Sequence, residues 1–272
     1  MNRQETSCLG ALARLAGANR PLLASMLKRE VQAAYRGSLG GGLWLLLQPL
    51  VFMLIYTLVF SVFLKVRFTE NGSHLVFSVY LLCGLLPWLA FAEGVAGATF
   101  SIRSNVNLVK RVVFPLEVLP AVKIMASLAQ QMIGFCLLLP LVWLATGKLG
   151  SAAFFLPVPL VLQLIFSLGL GWFFASLTVF IQDLGQILNP LLTVWMFLTP
   201  IFYSADVVPE WAAPLLRFNP MARIVGLLRS ILLDDRAPEP VDVLVTLGIC
   251  LLTCALGLAF FLRTKKHFSE ML

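Results

Sequence analysis

Charge is what this 272-residue sequence has least of. Asp, Glu, Lys and Arg make up 12% of it, against about 25% in soluble domains, while 60% is hydrophobic and mean hydropathy is +0.92. That shortage excludes an ordinary water-soluble domain. Histidine is nearly missing: His74 and His267 are the whole supply. The spans predicted below place them on opposite sides of a membrane, which excludes a shared catalytic or metal site. No G-x-x-x-x-G-K-[ST] phosphate loop occurs, because Gly147 followed by Lys148 lacks both the earlier glycine and the following hydroxyl. No cofactor and no metal is therefore expected in the chain, and any ATP must be bound elsewhere. Five cysteines are present. Cys83, Cys136, Cys250 and Cys254 fall in apolar runs and Cys8 in the polar N-terminus, so no disulfide framework is expected. Cys250 and Cys254 have helical spacing but no His or acidic neighbour, and read as small apolar filler. The first forty residues lack the apolar core and cleavage site of a signal peptide.

What is there is long apolar runs. A helix needs about 20 apolar residues to cross a bilayer, and six segments qualify: 43–64, 75–100, 116–146, 152–181, 187–203 and 241–262. The fifth is short and broken by Pro190 and Pro200. The whole chain, 1–272, reads as one all-α polytopic domain. It has a cytoplasmic N-terminus (1–42), a six-span bundle (43–262) and a cytoplasmic tail (263–272). With the N-terminus inside, 13 Lys and Arg fall on the inner side and 7 on the outer, the bias expected of a plasma-membrane protein with both termini cytoplasmic. The net charge of +7 is scattered over span ends rather than gathered into a patch, so nucleic acid is not an expected partner.

Three segments outside the spans carry pattern. In 22–36, Leu23, Leu27, Val31 and Ala34 share one helical face while Ser25, Lys28, Arg29, Gln32 and Arg36 share the other, the signature of a helix lying in the inner interface. Residues 101–120, SIRSNVNLVKRVVFPLEVLP, form a basic amphipathic segment between the second and third spans. Arg103, Lys110 and Arg111 precede any acid, and Val106, Val109 and Val113 form an apolar face closed by Pro115. Such a segment is built for something soluble to dock. Outside, 204–240 contains a helical run at 221–233 too short to span, which predicts re-entrant or interfacial helices between spans five and six.

Intramembrane charge is scarce. Glu93 and Lys123 lie near the inner ends of their spans, where snorkelling accounts for them. Aromatic and polar residues line up instead: Gln48, Phe52, Tyr56 and Phe60 recur every four residues on the first span, and Trp195, Phe202 and Tyr203 lie on or just after the fifth. Rings flanked by hydrogen-bonding groups suit a sliding sugar chain. They also suit helix packing or an interfacial belt.

Six strings in order resemble one family: REVQAAYRGS (29–38), LWLLLQPL (43–50), GLLPW (84–88), NLVKRVVFPLEVLP (107–120), FLTPIFYS (197–204) and FNPM (218–221). The chain resembles the membrane subunit of type-2 ATP-binding-cassette exporters for bacterial cell-surface polysaccharides, the group of O-antigen, capsule and teichoic-acid permeases. The resemblance implies a homodimer in the bacterial inner membrane. Two cytoplasmic ATPase subunits would hold ATP and Mg, and a lipid-linked glycan would pass between the protomers. It makes 101–120 a coupling helix, with Arg103, Asn107, Lys110 and Arg111 facing the ATPase and Asp183 in a smaller second contact. Gln48, Phe52, Tyr56, Phe60, Trp195, Phe202 and Tyr203 become channel candidates, and 207–233 an outer gate. Lys28, Arg29 and Arg36 become candidate contacts for lipid headgroups. A drug exporter of the same architecture is the alternative, and a membrane enzyme acting on polyprenyl-linked sugars, with Asp234 and Asp235 as its nearest acids, a more distant one.

Overall fold

The computed structural model describes residues 74–111 and 114–272, the stretch 19–33, and Gly10, Gly17 and single positions between 43 and 63. The described residues are helical, with no strand among them. We label the helices α1 (Arg20–Ala33), α2 (His74–Phe100), α3 (Val106–Arg111), α4 (Val118–Thr146) and α5 (Pro157–Phe180). They continue with α6 (Leu184–Leu198), α7 (Ala213–Phe218), α8 (Pro220–Leu232), α9 (Pro240–Thr264) and α10 (Phe268–Met271). Among the described residues, four helices are long and apolar enough to cross a membrane, namely α2, α4, α5 and α9. In the predicted first span, 43–64, positions 45–46, 48–49, 52–53, 56–57 and 64 lie outside the described residues. The predicted fifth span, 187–203, instead forms α6 three residues earlier at its start and ends at Leu198. Pro200 cannot continue it, and at 1.5 Å per residue α6 reaches only about 22 Å.

The apolar window of α2 is 72% buried, whereas those of α4, α5 and α9 are 28–33% buried. α2 is the centre on which α4 and α5 pack, and α9 packs on α5. Outward faces, such as Trp143 and Leu144 on α4 and Leu252 and Leu256 on α9, are left to lipid or to another chain.

Because apolar surroundings on both sides supply little hydrophobic drive, helices in a membrane are held by close packing and internal hydrogen bonds. Both devices are present. Gln131 of α4 and Gln163 of α5 exchange amide hydrogen bonds at 3.0 and 2.9 Å, and Gln163 Nε2 also donates to the Pro87 carbonyl of α2. This buried brace ties three spans together. At the α5–α9 crossing the backbones touch: a Cβ on Gly257 would stand 1.9 Å from the Gly169 carbonyl oxygen. Threonines inside the helices satisfy their hydroxyls on the carbonyl four residues back, as at Thr99, Thr178 and Thr253.

The end of the bundle opposite α3 is stapled by polar side chains. Asp235, in a left-handed turn at φ 51°, accepts from the Ala152 amide at 3.1 Å and lies 3.7 Å from Lys148. The acid nearest to an enzymatic role is thus a turn residue that holds the 147–152 loop against the end of α8.

Candidate functional site

Among the described residues, the turn after α2, the turn between α5 and α6 and the tail after α9 lie at one end of the bundle. The chain leaves α2 through a turn at Ser101 and Ile102, makes a 3-10 turn at Arg103–Asn105 and enters α3. The segment predicted to dock is therefore a 3-10 turn running directly into a short α-helix. Ser104, Asn107 and Lys110, spaced by three, are exposed, while Arg103 is half-buried. Leu108 and Val109 turn the other way and pack on a buried cluster of Ile102, Val122, Trp172, Val179, Phe261 and Phe268. The side chain of Arg111, and Val113, lie outside the described residues. Gln182 and Asp183 are exposed in the turn between α5 and α6, beside the same surface. A Cβ on Gly185 would meet the Phe100 ring at 2.4 Å, so that turn abuts the end of α2. Arg103, Asn107, Lys110 and Asp183 thus share one end of the molecule.

Behind this surface lie contacts that sequence reasoning missed. Glu117, the residue immediately before α4, is buried; Lys265 stands 3.5 Å from its Oε2, and Trp172 Nε1 donates to its carbonyl at 3.0 Å. Phe268 is fully buried, 5.5 Å from the Phe261 ring and 6.2 Å from Phe180. The tail therefore folds back beneath α3. Its one signal in the sequence was an aromatic residue two positions after a basic pair.

The aromatic candidates do not stay together. Trp195 of α6 packs edge-on against Phe91 and Phe166 at 5.5 and 6.0 Å, and its Nε1 donates to Asn219 Oδ1 at 3.1 Å. It is half-buried and packs against the core of this chain. Phe202 and Tyr203 are half-buried in the turn after α6; Phe202 lies against Phe197 at 5.7 Å, and the Tyr203 hydroxyl donates to the Phe197 carbonyl. The exposed face of α6 is carried by Ile187, Leu191, Val194 and Phe197. Gln48, Phe52 and Tyr56 lie outside the described residues, as does the side chain of Phe60.

The strings FLTPIFYS and FNPM meet in space. Asn219 caps α8 by accepting from the Met221 and Ala222 amides, and its Nδ2 donates to Thr199 Oγ1 at 3.0 Å. On α1, Leu22, Leu23, Met26 and Leu27 are half-buried, whereas Lys28 and Arg29 are exposed. Arg36 lies outside the described residues. Glu30 crosses to Lys123 of α4 in an ion pair of 2.5 Å.

A family profile described as ABC-2 type transporter matches residues 21–233, from α1 through the end of α8. The chain belongs to that family. This ABC-2 transporter chain is 33% identical over 256 residues to an O-antigen export system permease protein, RfbA, of Myxococcus xanthus, covering 92% of this chain and 95% of the relative. An RfbA of Klebsiella pneumoniae is 27% identical with the same coverage. The polysialic acid transport protein KpsM of Escherichia coli is 25% identical over 89% of this chain and 93% of its own. The ABC-2 chain is thus a multi-pass permease subunit.

Proposed function

We propose that this chain is the membrane half of an ATP-driven exporter that carries a lipid-linked polysaccharide of the O-antigen kind out of the cytoplasm. The observation that carries the reading is the 92% coverage by an O-antigen export permease at 33% identity, together with an inner end shaped for docking. In this reading the chain has six spans, both termini lie in the cytoplasm, and two copies form the transporter. The exposed apolar face of α6 is available for the second copy or for lipid. Each copy carries a cytoplasmic ATPase, which holds the ATP and Mg.

The mechanism follows from how the docking surface is tied to the spans. Closure of the ATPase pair on ATP displaces α3 and the turn at Asp183 together. Leu108 and Val109 pass that displacement into the cluster around Trp172 and Phe261, hence into α5 and α9. Glu117, held by Lys265 and Trp172, passes it into the start of α4. At the outer end, Asn219 links the end of α6 to α8, so a shift of α6 moves the outer helices. The test is deletion of the gene, with staining of intact cells for surface polymer. Surface polymer should vanish and accumulate inside, and wild-type chain should restore it. Unchanged surface polymer rejects the reading.

A further inference from the structure

Between α1, α2 and α4, toward the inner end, lies a cavity of about 190 Å³ whose polar lining is Glu30, Glu93, Lys123, Ser127 and Gln130. Glu93 is seven residues from the end of α2 and Lys123 five from the start of α4, so the cavity sits about 10 Å in from the helix ends. Ionisable groups at that depth are costly unless they face water or each other. Lys123 is already answered by Glu30. Its stem lies across Gly97, where a Cβ would find it at 3.6 Å. Glu93 has no hydrogen-bond or ion-pair partner among the described residues, although it shares the cavity with them.

We propose that this cavity is a sugar subsite: it takes one pyranose ring of the lipid-linked glycan, with the Glu93 carboxylate accepting from ring hydroxyls. The proposal rests on the export reading above and adds to it where the cargo is first held. Three properties select the ligand. The volume lies below the roughly 300–1,000 Å³ of pockets for drug-sized ligands, which limits the occupant to about one ring. The lining offers an acceptor in the Glu93 carboxylate and apolar walls in Ile133 and Val31. The charge balance rejects a phosphate: the single ammonium is paired, and the remaining carboxylate repels an anion. A neutral polyol meets no such penalty. The cationic face of α1, with Lys28 and Arg29, points away from Glu30 and leaves the phosphate end of the carrier outside the cavity.

The test uses the full complex with its ATPase in inside-out vesicles. Glu93→Cys, with Cys8 and Cys136 replaced by Ser, is exposed to a water-soluble methanethiosulfonate. Three probes are compared: the lipid-linked glycan, the same polyprenyl pyrophosphate without sugars, and inorganic phosphate. The cysteine should label readily, and the glycan should slow labelling at least fivefold while the other two leave it unchanged. A cysteine that does not label, or equal protection by the sugar-free carrier, overturns the subsite. In cells, the near-isosteric Glu93→Gln should keep the complex assembled and slow export about tenfold, the size of one charged hydrogen bond. Export at the wild-type rate also overturns it. If deletion of the gene leaves surface polymer unchanged, the export reading has failed instead, and the labelling still reports whether the cavity is wet.

Discussion

Arg229 shows at the scale of one residue what holds the turn at Pro200 against α2 and α8. It is 8% exposed and has no carboxylate partner among the described residues. Instead its Nη1 donates to the Pro200 carbonyl and the Tyr80 hydroxyl, its Nη2 to the Ile201 carbonyl, and its Nε to the Tyr80 carbonyl. The guanidinium also lies 3.5 Å over the Tyr80 ring. Burial lowers its pKa to about 10, against the pull of Tyr80 and Cys83, so it is charged at neutral pH. Gly84 leaves the room it needs: a Cβ there would sit 3.0 Å from Nη2. Arg229→Met would strand three carbonyls and should cost about 3 kcal/mol, since buried unpaired groups cost about 1–3 kcal/mol each. Arg229→Lys should fall between, because an ammonium lacks the planar fork. Thermal unfolding of detergent-solubilised protein measures both, and wild-type midpoints for both would show that the clamp does not hold the turn at Pro200.

At the scale of the element, the decisive contact is the crossing of α5 and α9. Gly169 and Gly257 let the two backbones meet, and even a methyl group on Gly257 would overlap the Gly169 carbonyl. Gly257→Ala must push the helices apart and should cost at least about 1–3 kcal/mol, the range of overpacking in a close-packed interior. Gly248, on the same helix, has open space where a Cβ would stand, so Gly248→Ala should be neutral or slightly stabilising. Comparing the two in one denaturation series separates the interface from helix propensity. Equal effects would mean the crossing tolerates separation. The elements themselves were legible: α1, α2, α4, α5, α8 and α9 all follow apolar runs or amphipathic periods in the sequence. The glycine contact was not, because a glycine in an apolar run is the same letter whether it faces lipid or another backbone.

For the whole molecule, the question is whether docking and transmission are separable. Lys110 is exposed on α3, while Phe268 is buried behind it. Lys110→Glu inverts charge on the rim, which acts mainly on association, and should weaken co-purification of the ATPase about tenfold. Phe268→Leu keeps an apolar plug but loses its ring contacts with Phe180 and Phe261. It should leave the ATPase bound and hydrolysing while export per ATP falls several-fold. If Phe268→Leu exports at the wild-type ratio, the tail is only a stopper and α3 transmits through other contacts.

The sequence by itself determined the helical class and four of the long apolar helices. Charge and length alone set these, because each ion or unpaired backbone group placed in hydrocarbon costs several kcal/mol. Tertiary structure decided which apolar face meets which. Trp195, half-buried, packs beside Phe91 and Phe166, a contact its sequence context did not reveal. Gln131 and Gln163, unremarked in the sequence, became the brace across three spans, and Phe268 turned a basic tail into a plug. The physical reason is shared. In a membrane both the lipid face and the packed face of a helix are apolar, so the contrast that reveals a core in a soluble protein is missing, and only shape and hydrogen-bond pairing choose between them.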